Sequence, residues 1–200
     1  MKAYLTAVAL ASLVIGTAAS SEPPGDPVTL ILDDGTREDQ YGVLTDFFIF
    51  NRFSPPEFPL EIHEVQVLMP PPEFGGGPIT FRPYLWEDPD GDPLTGATVR
   101  WQGPEVLGDP PDVFLTIPVD PPVFFDGPGD VLVGIAMTGG TETTWAATDE
   151  TDPQGRSWGC FLTPPPGIPC EATAVIQTNF MLRAFGTVAV PVELESFTVE

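Results

Sequence analysis

The residues best suited to chemistry in this chain are three aspartates at alternate positions, Asp88, Asp90 and Asp92. They lie in the turn-forming segment Trp86-Glu87-Asp88-Pro89-Asp90-Gly91-Asp92-Pro93. Calcium takes about six to eight oxygen ligands, and alternate carboxylates converge when a chain curls tightly. The spacing therefore predicts a metal site at these three residues, with calcium as the cofactor.

The same loop also has an ordinary structural interpretation, because Asp-Gly and Asp-Pro are standard turn formers. It departs from the EF-hand pattern, since Gly91 takes the fourth place instead of the sixth and Val99 stands where a glutamate is required. A calcium ion here would need backbone carbonyls or acids from the other acidic loops, which are 109–112, 126–130 and 149–152. Both interpretations stay open from the sequence.

Two tryptophans, Trp86 and Trp101, flank the acidic loop and are the candidate ligand-binding residues. Aromatic rings that stack on sugars are common in carbohydrate-binding β-sandwiches, so loop and rings together suggest a calcium-dependent sugar site. The alternative is packing in the core, which is the usual fate of tryptophan.

Cys160 and Cys170 are the only cysteines. In an exported protein, two cysteines at short separation most simply form a disulfide. Closure of this loop would stabilise the fold by about 2.5–3 kcal/mol. A structural zinc site is disfavoured, because two sulfurs and one remote histidine supply too few ligands.

The chain is predicted not to be an enzyme. His63 is the only histidine, and no Gly-x-Ser-x-Gly elbow accompanies it. The glycine run at 75–77 lacks the lysine and the following helix of a phosphate-binding loop.

The beginning of the chain has the pattern of an export signal. Lys2 supplies the positive start, Leu5 to Ile15 an apolar run, and Gly16 to Ser20 a small-residue cleavage region. No later segment approaches the roughly 18 uninterrupted apolar residues of a membrane span, so the mature chain is predicted to be secreted, extracellular or at the cell surface, without membrane insertion. The predicted organisation is a signal peptide at 1–20, a Pro-rich spacer at 21–27, a β-sandwich domain at 28–188 and a C-terminal strand or connector at 189–200.

Short alternating segments separated by Pro and Gly turn signals fill the region after the signal, and none has the pattern of an amphipathic helix. The segment 131–137 is nearly all apolar, which predicts a central strand buried on both faces. In 59–69 the apolar positions change parity near His63, which predicts a bulge. The fold class is therefore predicted as all-β, an antiparallel β-sandwich of jelly-roll type.

The charge of the chain limits its partners. Removal of the signal peptide would leave six arginines against 29 acids, a formal charge near −23. Nucleic acids and anionic membranes need a cationic face and are excluded as partners.

Several phrases resemble poorly characterised jelly-roll modules of secreted bacterial proteins. They are Phe50-Asn51-Arg52-Phe53, the segment 84–97, Phe125 to Ile135, Gly155-Arg156-Ser157-Trp158 and Phe180 to Gly186. The tail from Val190 to Glu200 resembles connectors that precede sorting or further β domains. The resemblance implies an extracellular accessory module and no particular substrate.

Three functional hypotheses follow, of which the third is a glycan-active enzyme. The first is a secreted, non-enzymatic module with a structural or adhesive role at the cell exterior, such as a subunit of an assembly or filament. It would self-associate through the C-terminal strand or a sheet edge, or bind a surface polysaccharide. The alternative is a calcium-dependent carbohydrate-binding module.

Overall fold

A computed structural model describes residues 25–43, 47–71, 79–93, 95–137, 144–161 and 174–188. Within them the chain forms fourteen β-strands. The strands are β1 (Pro27–Leu30), β2 (Asp39–Val43), β3 (Phe47–Phe53), β4 (Leu60–Leu68), β5 (Thr80–Asp88), β6 (Thr98–Gln102), β7 (Val106–Leu107), β8 (Phe114–Phe125), β9 (Asp130–Met137), β10 (Thr144–Asp149), β11 (Ser157–Phe161), β12 (Ala174–Ile176), β13 (Asn179–Phe180) and β14 (Leu182–Val188). The described part holds no helix long and apolar enough to cross a membrane.

Two antiparallel sheets form the sandwich. One has the order β1-β14-β4-β8, and the other has the order β12-β11-β3-β9-β5-β6, with β7 also beside β5. The chain crosses repeatedly between the sheets, so that early and late strands interleave in each, as in a jelly roll. The all-β, jelly-roll prediction is therefore confirmed, and β1 begins at the last residue of the predicted spacer, Pro27.

The main core lies between the two sheets and is built from alternate residues of their strands. In β4, Leu60 and Ile62 face this core, and Val65 and Val67 face it after a change of parity. The register against β8 shifts between Ile62 and Glu64. The predicted bulge at His63 is thus present, and it keeps both halves of the strand facing inward.

Strand β9 is buried along its whole length, as its apolar sequence predicts. Val131, Val133 and Ile135 face the main core, whereas Leu132 and Ala136 join a second cluster on the opposite face of the sheet. This second cluster is aromatic and comprises Phe48, Phe50, Tyr84 and Trp86, with Trp158 packed against it.

Pro83 lies inside a strand, where a proline usually marks an edge or a bulge, and the pairing of β5 with β6 does shift in register between Leu85 and Trp86. Its strand, β5, is central and pairs with β9 on one side and with β6 and β7 on the other. The Pro83 carbonyl accepts a hydrogen bond from the Gly103 amide, between the residues that pair with β6 and with β7. The N–H that proline lacks would point to the gap between β6 and β7. The sheet therefore loses few hydrogen bonds at this position.

A small third sheet, β13-β10-β2, adjoins the sandwich.

Buried Asn51 of β3 ties the larger sheet to the segment that leads into β14. Its side-chain nitrogen donates to the carbonyls of Phe180 (2.7 Å) and Leu182 (3.2 Å), and its oxygen accepts from the Ser157 hydroxyl at 2.7 Å.

Candidate functional site

Register brings several chemically relevant residues to one end of the sandwich. Phe53, the last residue of β3, pairs with Val131 of β9, and Asp88, the last residue of β5, pairs with Asp130. Strand β11 also begins there, because Ser157 pairs with Asn51. We call this region the Asp130 end.

The three predicted calcium ligands have different environments at this end. Asp88 is 0% exposed, whereas Asp90 and Asp92 are exposed. The Asp90 carboxylate accepts hydrogen bonds from the Asp92 amide and the Thr95 hydroxyl, each at 3.0 Å, so it builds the turn. Taking one carboxylate oxygen from each of the three residues, no combination brings all three oxygens within 4.8 Å of one another. In this structure the three aspartates therefore do not form one ligand cluster.

Asp88 is the chemically unusual member. Neither of its carboxylate oxygens has a hydrogen-bond partner among the described residues. Burial, together with the neighbouring carboxylates of Asp90 and Asp130 and partly offset by Arg52, raises its pKa to about 7. A buried acid of this kind takes up either a proton or a cation.

Asp130 is the centre of a small polar network. It is buried and forms an ion pair with the Arg52 Nε at 2.5 Å, and its other oxygen accepts from the Ser54 hydroxyl. The Arg156 Nη2 lies 3.7 Å from Asp130 and donates to the Ser54 Oγ at 2.6 Å. The Arg156 Nε donates to the Arg52 carbonyl at 2.7 Å, which ties the Arg156 side chain to the backbone of β3 beside Asp130.

An open cleft of about 270 Å³ lies beside this network. Its polar lining is supplied by Arg52, Ser54, Gln154 and Arg156, and its apolar wall includes Ile31 and Leu32, which follow β1. Strand β1 is at the edge of its sheet. The cleft therefore sits between the edge of one sheet and the end of the other, and it is open to ligands.

The structure contains a second acidic group, which the sequence did not predict. Asp34, Glu38 and Asp149 each offer an oxygen, and these oxygens lie within 4.8 Å of one another. Asp149 is buried, and its two oxygens accept from the amides of Asp34 (2.7 Å) and Thr151 (2.6 Å). The loop 149–152 contributes this acid, but it meets the loop after β1 instead of the Asp88 turn.

Electrostatics differ among these three acids. Burial raises the pKa of Asp149, and the neighbouring Glu38 adds to this. Hydrogen bonds from Thr36 lower the pKa of Asp34 and of Glu38. The local sequence Asp33-Asp34-Gly35-Thr36 carries turn signals alone, and no short-range pattern points to its contact with a residue 115 positions away.

The two candidate sugar-stacking tryptophans lie on opposite faces of their sheet. Trp86 is 1% exposed and packs in the aromatic cluster against Phe48 and Tyr84, with ring centroids 5.5 and 5.2 Å away. Trp101 pairs with Leu85 and packs against the main core. The structure therefore does not bring them together as one platform, and Trp86 offers no face to a ligand in solvent.

The remaining predicted residues are placed as follows. Cys160 is buried in the aromatic cluster, while Cys170 lies outside the described residues, so the disulfide remains a prediction. The signal peptide and the C-terminal connector also lie outside them. His63 is exposed, and its Nε2 lies 3.1 Å from the Thr187 hydroxyl.

Comparison with protein-family models and with curated proteins finds no match. Among solved structures, the clostridial cysteine protease Cwp84 after propeptide cleavage is similar, with a TM-score of 0.53 and 13% identity over 84% of this chain and 42% of that one. A structure of the cysteine protease and lectin-like domains of Cwp84, a surface layer associated protein of Clostridium difficile, gives a TM-score of 0.48 and 10% identity over 84% and 37% of the two chains. The chain thus spans less than half of either matched chain, and the first likeness shows a shared β fold alone.

Proposed function

We propose that this chain is an extracellular, non-enzymatic β-sandwich module with a structural or adhesive role, and that it binds its partner at the Asp130 end. The observation that carries this proposal is the open cleft, which is lined by the partly exposed side chains of Arg52 and Arg156 beside an apolar wall. Binding sites of β-sandwich modules lie characteristically in loops and edges held by a rigid scaffold. The fold-level likeness to a part of Cwp84 is compatible with this role.

A non-enzymatic role is supported by the surroundings of the single histidine. His63 lies on the surface of β4, with the Glu61 carboxylate 3.8 Å away and the Thr187 hydroxyl on the neighbouring strand. Among the described residues, the polar contacts of His63 are with Glu61 and Thr187, and neither is the cysteine or serine that a histidine activates in nucleophilic catalysis.

The proposed role is tested by two measurements on the purified mature protein. Light scattering and electron microscopy over a range of concentrations reveal assembly, and a glycan array reveals polymer binding. We expect at least one of the two to be positive. A protein that stays monomeric at high concentration and binds nothing on the array would refute a structural or adhesive role.

A calcium-dependent variant of this role is favoured by a separate observation, the convergence of Asp34, Glu38 and Asp149. Three carboxylates are suitable ligands for a hard cation, and a cation would offset the repulsion that accompanies the raised pKa of Asp149. Bound calcium would crosslink the loop after β1 to the end of β10. It would thereby hold the edge of the cleft that Ile31 and Leu32 form.

Thermal melting with calcium and with EDTA tests this variant, because an ion that binds the folded state alone must raise the melting temperature. We expect Asp149→Asn to abolish the calcium shift. Asp88→Asn distinguishes the site predicted from the sequence from the one found in the structure, and exposed Asp126→Asn is the matched control. If calcium does not move the melting temperature of the wild type, neither acidic group binds it usefully.

A further inference from the structure

The arginines of this chain are scarce, and two of them share one acid. Four of the six pair with an acid of their own: Arg37 with Asp112, Arg82 with Glu105, Arg100 with Glu87, and Arg183 with Asp33. Arg52 and Arg156 both pair with Asp130. The cleft that they line is therefore a place where two cationic side chains meet on a protein with a formal charge of −22, with the carboxylates of Asp130 and Asp88 in the same region.

These two guanidinium groups also keep unused donors. The Arg156 Nε and Nη2 donate to the Arg52 carbonyl and the Ser54 hydroxyl, which leaves its Nη1 without an acceptor in the described part of the chain. Arg52 contacts Asp130 through Nε, and its terminal nitrogens make no hydrogen bond to any described residue. Both side chains remain partly open to solvent, at 28% and 31% exposure. Planar guanidinium forks match the geometry of a carboxylate.

The rest of the lining suits a small hydroxylated ligand. The Gln154 amide nitrogen is used by Asp152, so its side-chain oxygen is left as an acceptor for a hydroxyl group. Ile31 is 37% exposed and offers an apolar surface to a ring. The cleft, at about 270 Å³, is smaller than the roughly 300–1,000 Å³ of sites for drug-sized molecules, which fits a single ring.

We propose that this cleft binds the carboxylate of a sugar acid, with Arg52 and Arg156 as the carboxylate ligands and Gln154 and Ile31 as contacts to the ring. The inference rests on the adhesive function proposed above and gives it a ligand class, a uronic acid residue in a surface polysaccharide. The acidic surface repels a long polyanion, and exposed charges more than about 10 Å away are screened at 0.1 M salt, so a carboxylate is attracted only by direct contact with the two guanidinium groups. Binding would therefore occur at a chain end or at an isolated acidic sugar.

The test is a titration of the mature protein with D-glucuronate, D-glucose and acetate, followed by amide chemical shifts in EDTA. Glucuronate and glucose differ only in the carboxylate at C6, and EDTA removes any calcium bridge. We expect glucuronate to bind at least tenfold more tightly than either of the other two. Equal affinity for glucose would show that the arginines do not select the ligand, and equal affinity for acetate would reveal an adventitious carboxylate site; either overturns the proposal.

Two variants locate the effect. Arg156→Gln should weaken glucuronate binding at least tenfold, whereas Arg82→Gln, the same change at a pair on the face of the sandwich, should leave it unchanged. Ile31→Glu places a carboxylate in the cleft without removing an arginine and should also weaken binding. It keeps the test decisive if Arg156→Gln fails to fold. Wild-type affinity in both cleft variants would refute the assignment.

The outcome separates this inference from the general function. Polymer binding or assembly without glucuronate binding would refute the sugar acid as ligand and still support the structural or adhesive role. Glucuronate binding without polymer binding or assembly would support the cleft as a carboxylate site and refute the structural or adhesive role. If a synthetic peptide of residues 190–199 binds the cleft and glucuronate does not, the partner is an acidic strand of another copy, and the sugar proposal is wrong.

Discussion

Replacement of Asp88 by asparagine should remove a pH-dependent loss of stability that is built into the Asp130 end. Asp88 is buried with no hydrogen-bond partner among the described residues, and the groups that face it are Asp90, Asp130 and Arg52. Its pKa rises from 3.8 to about 7 in the folded state, with burial as the largest cause. Asparagine has the same shape and carries no charge.

The sign of the effect follows from proton uptake. Between about pH 4 and pH 7 the folded state holds a proton on Asp88 that the unfolded state has already released, so stability falls as pH rises through this window. Each unit of pKa shift corresponds to about 1.4 kcal/mol, so the shift of about three units gives a loss of about 4 kcal/mol at most. Rearrangement of the turn around the ionised carboxylate reduces this, and we expect about 2–4 kcal/mol.

Urea denaturation at unit steps from pH 4 to pH 8, in EDTA, measures the effect. The variant should match the wild type near pH 4 and exceed its free energy of unfolding by about 2–4 kcal/mol at pH 8. Other acids titrate in both proteins, so the difference between the two curves isolates Asp88. Asp126→Asn, at an exposed position of the neighbouring loop, should follow the wild type throughout.

A difference that stays constant from pH 4 to pH 8 would refute the reasoning, because it would mean that Asp88 ionises equally in both states. A variant that is less stable than the wild type at pH 8 would also refute it. That result would show that the ionised carboxylate makes a stabilising contact.

Three further outcomes can be measured by chemical denaturation. Asn51→Ala should lower the free energy of unfolding by about 2–4 kcal/mol, because it leaves buried hydrogen-bonding groups in three strands without their partner; exposed Gln102→Ala is the control, and equal effects would contradict this. Gly134→Ala should lower the free energy of unfolding by about 1–3 kcal/mol, since an added Cβ would lie 2.5 Å from the Ile49 carbonyl oxygen. An unchanged denaturation midpoint would show that the sheet relaxes freely. Reduction should lower stability by about 2.5–3 kcal/mol if Cys160 and Cys170 are bonded, and Cys160→Ser should then be insensitive to reductant.

The strands were predictable because a period of two records directly which face of a sheet is buried. In β9 the apolar run gave both its position and its burial, and the parity change at His63 gave the bulge in β4. At Pro83 the sequence shows a missing donor but does not show that the neighbouring strand is interrupted opposite it.

The candidate site was less predictable because it depends on register and on distant contacts. Trp86 and Trp101 are close in sequence, but a slip of one residue in strand pairing exchanges the faces, and no local pattern sets that pairing. Asp34 and Asp149 meet across 115 residues. Asp88 was predicted only as one of three calcium ligands, and the sequence did not indicate its burial or its proximity to Asp130, which depend on the pairing of β5 with β9.

Acids are abundant in this chain and arginines are few, so the two residue types carry different amounts of information about a site. With 29 acids in 200 residues, acidic groups meet often, and any one meeting carries little information. Six arginines are few, so the convergence of two is informative. Arg52 and Arg156 occur in Phe50-Asn51-Arg52-Phe53 and Gly155-Arg156-Ser157-Trp158, two aromatic phrases that the pairing of β3 with β11 places side by side. In a chain this acidic, the positions that keep a positive charge are the ones to examine first for a ligand.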